Sequence, residues 1–463
     1  MELSKLNVFI PLKDNSSLVH NTYSKRTILL DSSEYKKVIS SSNEALVNTL
    51  PYNLFQKLAR ISAITTSSLN QIDKIKSNDL IHKQSTDHLM ITVMMTEACN
   101  FSCQYCNQGL DKQANHISFK VLDQISNYIN NLEPTPKSLS LTWYGGEPLI
   151  RSKDIISSSE YLKERSKEKS INYSSIIVTN GYMLTSEMAN SLSDSGVSMA
   201  QVTVDGNKKD HDNSRYIKEG VGTYDKIMKN ISNSLIDSSL NIVIRVNVDK
   251  RNCSNLKDLI DDLVLRNILQ SQQFSIYLSH VYDPELNALD KQEDVKSSLL
   301  SHLEFAEIQY NINNYILSLG GKVAVDLPNH EGSCIASHKY SFAIKPDGSL
   351  FKCYIPIANK NESFGSIDNI SESYEHKNFK KWNSWSPFES ENCSGCKLIG
   401  SCRGGCRFNY VSSEYENEPF KCPPAKYFTN EYLFQRAVSK GLVSPNQWDP
   451  NKSPTNISEL RFN

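Results

Sequence analysis

From about residue 88 the chain alternates two rhythms of apolar and polar positions. Short runs that are apolar throughout, or at every second residue, predict strands. Longer runs with apolar residues at every third or fourth position predict helices. LMITVMM (89–95) is apolar throughout, as a strand covered on both faces should be. Ser118 is placed to cap the next helix, with Phe119, Leu122, Ile125, Ile129 and Leu132 on one stripe. LSLTWY (139–144) predicts a second strand, followed by a helix around Ile155 to Leu162. YSSIIV (173–178) precedes a short helix stopped by Gly196, a left-handed cap. VSMAQVTV (197–204) and NIVIRVNV (241–248) flank a helix near Tyr224 to Ile236. A helix near Leu256 to Leu265 leads to FSIYL (274–278), and a long helix is expected from about Val295 to Leu317. Six strand-then-helix units predict an α/β fold with a parallel sheet wound in one direction, open or closed into a barrel. In such folds chemistry gathers at the C-terminal ends of the strands.

Outside that stretch the rhythm changes. Residues 1–86 predict two or three strands (LNVFIPL, LVHNTY and RTILL) followed by helices. Beyond about residue 321 regular patterning fades, and seven of the eleven cysteines appear there. The expected division is 1–86, 87–320, 321–425 and a tail, 426–463, which opens as a helix (TNEYLFQRAV) and then turns polar.

Charge narrows the partners. With 50 basic and 51 acidic residues, the chain has no electrostatic footprint for nucleic acid or an anionic membrane, and neither is expected. MELSKLNVFIPLKDN lacks the apolar core of a signal peptide, and no stretch approaches ~18 uninterrupted apolar residues, so a soluble cytoplasmic protein is expected. In that compartment an odd count of eleven cysteines points to metal binding or redox chemistry rather than disulfides.

CNFSCQYC (99–106) then becomes the chief clue, because Cys99, Cys103 and Cys106 follow the first strand at the rim where chemistry is expected. A structural zinc wants four ligands, which here would require a distant fourth. A [4Fe–4S] cube takes one thiolate per iron, so three thiolates leave one iron open to a substrate or cofactor. The C-x3-C-x2-C spacing, with Tyr105 before the last cysteine, resembles the radical S-adenosylmethionine enzymes. The resemblance implies that the open iron chelates S-adenosylmethionine, whose one-electron cleavage yields a 5′-deoxyadenosyl radical. It implies a partial (β/α)6 barrel over about residues 88–320.

Other motifs extend the likeness. WYGGEP (143–148) resembles the GGE motif, which implies that Glu147 and the Gly145–Gly146 backbone take the cofactor's ammonium. An ordinary glycine turn before a helix is the plainer reading of that stretch taken alone. VTNG (178–181) and VTVDG (202–206) end the third and fourth strands. By the same resemblance Asn180, Thr203 and Asp205 lie near the cofactor's ribose and methionine, and Arg215 binds its carboxylate. Polar residues at strand ends are also common turn formers.

The remaining cysteines form a second pattern: Cys334 and Cys353, then C-x2-C-x5-C-x3-C through Cys393, Cys396, Cys402 and Cys406, and finally Cys422. Two CxxC-like pairs suit a zinc ribbon, but seven thiols fit one zinc poorly. The whole pattern resembles the SPASM extension of the radical family, a loop-rich domain with two auxiliary [4Fe–4S] clusters. Position by position, that implies Cys393, Cys396, Cys402 and Cys422 around one cluster, and Cys334, Cys353 and Cys406 around the other. The second set is one ligand short. Cys253, in DKRNC, is read as a loop or core thiol rather than the missing ligand.

SPASM enzymes mostly act on peptides, so the implied function is a peptide maturase that crosslinks a ribosomally made precursor through a C–C, C–S or ether bond. Its expected partners are the precursor's leader and core and an electron donor such as flavodoxin or ferredoxin. Residues 1–86 would suit a winged-helix-like α+β module that takes the leader as an added strand, or a domain that merely packs beside the barrel. Oxidation of a protein residue, as in sulfatase maturation, is the alternative reaction. A non-catalytic iron–sulfur electron carrier is the alternative of another class. No general base is assigned: His211, His280, Tyr282 and Asp283 lie near strand ends, where surface or turn roles are expected.

Overall fold

The computed structural model describes residues 1–40, 50–103, 105–106, 108, 114–217, 219–281, 297–323, 334–411 and 422–462. The N-terminal strands are β1 (Glu2–Leu3), β2 (Asn7–Pro11), β3 (Ser17–Asn21), β4 (Arg26–Leu30) and β5 (Ile64–Thr65). The central strands are β6 (His88–Thr96), β7 (Ser138–Gly145), β8 (Asn172–Thr179), β9 (Val197–Thr203), β10 (Asn241–Val248) and β11 (Phe274–His280). Three short ones follow: β12 (Phe342–Ile344), β13 (Ser349–Phe351) and β14 (Gly365–Ser366).

β6 to β11 form a parallel sheet in sequence order, and each addition on the same side reflects crossovers of one hand. The sheet continues past β6 into β12, β13 and β14, so nine strands are joined in one sheet. β12 runs parallel to β6, with Phe342 opposite Ile91, and the hairpin beyond it is antiparallel. β6 therefore lies inside the sheet, and Leu89, Ile91, Val93, Met94 and Met95, which point to both of its faces, are buried, as its continuous apolar run requires. The expected boundary near residue 320 is crossed by this sheet. A Lys345–Glu97 ion pair of 2.6 Å fixes the added hairpin beside the cysteine loop.

Local signals set the helices. The Ser118 hydroxyl accepts from Val121 N at 3.4 Å, and Val121, Leu122, Ile125 and Ile129 are buried on the helix Phe119–Asn130. Phe119 leaves the expected stripe and is 78% exposed, and Val121, in the same first turn, joins the buried face instead. Gly196 ends the helix Ser186–Ser195 at φ +102°, a conformation that glycine adopts without a Cβ penalty. The helix His302–Ser318 begins with a Ser301–Glu304 capping box; the first residues of its expected span, 295–296, lie outside the described residues.

β2, β3 and β4 form an antiparallel sheet with β3 central. One face packs on residues from the far end of the chain: Val8, Ile10, Leu12 and Leu18 share a core with Cys396, Leu398, Leu433 and Phe434. The tail helix Thr429–Ser439 thus covers both the N-terminal sheet and a cysteine segment. Thr22 Oγ1 donates to Lys397 O at 2.5 Å, and Arg403 donates to Ile75 O at 2.9 Å across the same junction. Among the described residues no helix is long and apolar enough to cross a membrane.

Candidate active site

The C-terminal strand ends open into a cavity of about 460 Å³. Cys99, Cys103, Tyr105 and Cys106 line one side, and Gly145, Gly146, Asn180, Thr203 and Arg215 line another. Cys334, Cys353 and Tyr354 close a third side, although they are more than 200 residues away in sequence. Six of the eight cofactor residues predicted from sequence and all three triad thiols therefore line one chamber, while Asp205 and Glu147 do not line it.

The cysteine loop is held by backbone. Gly146 N donates to Thr96 O and Glu147 N to Ala98 O, each at 2.8 Å, so the GGE segment pairs with the residues leading into Cys99. A Cβ on Gly146 would lie 2.2 Å from Ala98 O and 2.6 Å from Glu97 O, both main-chain atoms. This close approach is why glycine stands there. Gln108 donates to Gly145 O at 2.8 Å.

Glu147 takes a different position from the other members. It is fully buried and does not line the cavity. Its carboxylate accepts from Leu149 N at 2.9 Å, Thr179 Oγ1 at 2.7 Å and Asn180 N at 2.7 Å. Burial pushes its pKa up, against the pull of those donors. It is a strut from the end of β7 to the end of β8, and the surfaces offered to the cavity are Gly145, Gly146 and Asn180. Asn180 carries the brace onward, donating to Asn100 Oδ1 at 2.8 Å beside Cys99.

Tyr105, Asp205 and Arg215 form one node. The Tyr105 hydroxyl bonds Asp205 and accepts from Arg215 at 2.6 Å and Asn247 at 3.2 Å. Arg215 and Asp205 are 3.8 Å apart and both are buried. Burial raises the Asp205 pKa, while Arg215 pulls it back. The Arg215 guanidinium lies over the Phe101 ring at 5.8 Å, and its Nε has no partner among the described residues. A buried cation with an unspent donor at a cavity wall suits a carboxylate ligand.

His211 is not at the surface. It accepts from Asp205 N at 3.2 Å through Nδ1, leaving Nε2–H to Thr223 Oγ1 at 3.0 Å. Thr223 then donates to Arg215 O at 2.7 Å. Burial holds the imidazole well below its usual pKa, so a neutral ring positions both members of the Asp205–Arg215 pair. His280 is buried too, bonded to Leu300 O at 2.9 Å and stacked on Phe305. Both depart from the expected surface role because their strand ends are roofed by helices. Tyr282 and Asp283 lie outside the described residues.

Sequence reading missed Gln201, Arg245, Asn247, Tyr144 and Tyr354 on the cavity wall. The signal was present: Gln201 and Thr203 on β9, and Arg245 and Asn247 on β10, recur at every second residue among apolar neighbours. In a parallel sheet such polar alternation marks a face turned toward a cavity rather than a second core.

The other cysteines fall into two further groups. Cys393, Cys396, Cys402 and Cys422 line one small pocket, with Tyr410 and Lys426. The Tyr410 hydroxyl lies 3.4 Å from the Cys393 sulfur, and Lys426 donates to the Cys422 sulfur at 3.4 Å. Cys334, Cys353 and Cys406 pack in one apolar cluster with Trp382 and Phe408. Cys253 joins none of these; its thiol faces Lys250 O at 3.8 Å. Among the described residues no three His, Cys, Asp or Glu side chains close around a single ion. Cys393, Cys396, Cys402 and Cys422 instead line a pocket together, and four thiols around one space is the donor set of a cube with one thiolate per iron.

Residues 93–250 match the Radical SAM superfamily. The radical SAM cyclopropyl synthase TigE of Paramaledivibacter caminithermalis is 22% identical over 71% of this chain and 69% of that enzyme. A cysteine-type anaerobic sulfatase-maturating enzyme of Clostridium novyi is 24% identical over 74% of this chain and 93% of that enzyme. Among solved structures, native anSMEcpe with bound AdoMet superposes with a TM-score of 0.59 at 17% identity, covering 76% of this chain and 98% of that one. Streptococcus suis SuiB bound to precursor peptide SuiA superposes with a TM-score of 0.53 at 14% identity, covering 91% and 99%. These structures share the fold. The family implies S-adenosylmethionine and a 4Fe–4S cluster, and the open triad with its glycine cradle fits both.

Proposed function

Since this chain carries a radical SAM domain at residues 93–250, we propose that it is a radical SAM/SPASM peptide maturase that installs an intramolecular crosslink in a ribosomally made precursor. The observation that carries the reading is the shared chamber: the triad Cys99, Cys103 and Cys106 and the distant Cys334 and Cys353 face the same cavity. Bound S-adenosylmethionine supplies a hydrogen-abstracting radical, and two auxiliary clusters supply acceptors for the electron that bond formation releases.

The chain's own residues bind and shield. Cys99, Cys103 and Cys106 hold the first cluster with one iron free. Gly145, Gly146 and Asn180 receive the cofactor's amino acid end, Arg215 its carboxylate, and Thr203 with the Tyr105–Asp205 node its nucleoside. Cys393, Cys396, Cys402 and Cys422 hold one auxiliary cluster, and Cys334, Cys353 and Cys406 the other. Residues 321–425 act as the SPASM domain and 1–86 as the leader-binding module, in which the edge strand β4 takes the leader as an added strand. An external one-electron donor, such as flavodoxin or ferredoxin, completes the system.

Anaerobic incubation of reduced enzyme with a candidate precursor should lower the peptide mass by about two hydrogens per link, as a two-electron oxidation requires. Deoxyadenosine without any such loss from peptides encoded beside the enzyme contradicts the reading. Likeness to sulfatase-maturating enzymes supports a second outcome, oxidation of one side chain to an aldehyde. A carbonyl-trapping hydrazide separates the two, since it adds to the aldehyde and leaves a crosslink untouched.

A further inference from the structure

Two cations are buried beside the Cys334, Cys353 and Cys406 group, Lys352 next to Cys353 in the chain and Arg407 next to Cys406. A third, Lys83, is buried within reach of both. Lys352 is 2% exposed, Arg407 5% and Lys83 7%. Lys352 points its ammonium at the main-chain oxygens of His338, Lys339 and Ser341. Arg407 lies over the Trp385 ring at 5.2 Å, and its Nη1 has no hydrogen-bond partner among the described residues. The three lie within electrostatic reach of one another, and Cys334 acts on both Lys352 and Arg407.

Carboxylates do not account for this charge. Among the described residues none of the three makes a salt bridge. Asp79 acts on Lys83 and Arg407, and Glu389 acts on Lys83, whereas the strongest favourable charges on Lys352 are the thiols Cys334 and Cys353. Buried like charges are costly unless an anion compensates them. The thiols beside Lys352 and Arg407 would make that anion on ligating iron and sulfide, and it would become one unit more negative on reduction.

We propose that Lys352 and Arg407, with Lys83 behind them, are the counter-charge shell of the auxiliary cluster held by Cys334, Cys353 and Cys406, and that they raise its reduction potential so that it is the acceptor facing the substrate cavity. The inference rests on the cluster assignment above. The step balances as one electron and one proton: the substrate-derived radical gives the electron to the [4Fe–4S] cluster and a proton to water, leaving the closed-shell product, and the shell stabilises the charge added to the cluster. Lys352 and Arg407 are positioning residues, since they act through the cluster.

The test is an EPR-monitored potentiometric titration of the anaerobically prepared holoenzyme. Cys353→Ala identifies which signal and which iron belong to this site. In Arg407→Gln the midpoint of that signal should move to more negative potential, with the other two signals unmoved, and Arg407→Lys should bring it back. Loss of this cluster in Arg407→Gln but not in Arg407→Lys also supports the shell, because charge alone separates the variants. An unmoved midpoint at full iron content overturns the proposal, as does loss of the cluster in both variants. If Cys353→Ala removes no iron, the ligand assignment itself fails, and the shell fails with it.

Discussion

Gly146→Ala places one methyl group against the main chain that leads into the cysteine loop. The added Cβ would stand 2.2 Å from Ala98 O, 2.6 Å from Glu97 O and 2.7 Å from Ala98 C. Ordinary contact requires the two segments to separate by about 1 Å or more. No side chain is available to move, because all three atoms are backbone. The bonds of Gly146 N to Thr96 O and Glu147 N to Ala98 O, each 2.8 Å, are the first to stretch. Their loss costs about 1–3 kcal/mol, which a core of this size tolerates. Cys99 follows Ala98 directly, so the displacement passes to the open cluster. A misplacement of about 1 Å at a reacting centre is worth roughly a hundredfold in rate. Anaerobic assay of deoxyadenosine per chain should therefore fall by about that factor, while iron at the other two sites persists. Wild-type release from a folded Gly146→Ala variant would refute the claim that this glycine cradle positions the cofactor.

Other substitutions probe separate parts of the account. Tyr105→Phe removes the hydroxyl joining Asp205, Arg215 and Asn247, so stability should drop by about 1–3 kcal/mol in urea unfolding and the KM for S-adenosylmethionine should rise; unchanged values contradict the node. Cys253→Ala should leave iron content unaltered, since that thiol stands apart from all three cysteine groups, and loss of a cluster shows otherwise. Burial holds His20 at a pKa of about 3 and His280 at about 4, against an ordinary value of 6.5. The unfolded chain then gains these protons first as pH falls, and each histidine costs roughly 2 kcal/mol of stability by pH 5. Urea midpoints should decline from pH 7 to pH 5, less so in His20→Gln, and a flat profile contradicts the burial.

Local chemistry made the barrel legible. NIVIRVNV is a strand at residues 241–248, the Ser118 cap and Gly196 stop stand where the sequence puts them, and the cysteine triad lies at a strand end. Long-range pairing hid the rest. β12 is three residues long and owes its place to β6, some 250 residues earlier, so no periodicity announces it. Val8 and Leu433 share a core that neither segment reveals alone. Glu147 reads as a ligand from its motif, yet its three donors come from the backbone and the neighbouring strand end. Lys352 sits in an unremarkable run, FKCYIP, and only burial exposes the charge problem it poses.

Iron, sulfide and deoxyadenosine, measured anaerobically on the wild type and on a variant with Cys99, Cys103 and Cys106 all replaced by Ala, test the central claim most directly. About 12 irons per wild-type chain, falling by about four in the variant with complete loss of deoxyadenosine after reduction, are the values that three cubes and one open triad predict. Zinc in place of iron, or cofactor cleavage that survives in the triple variant, contradicts the account.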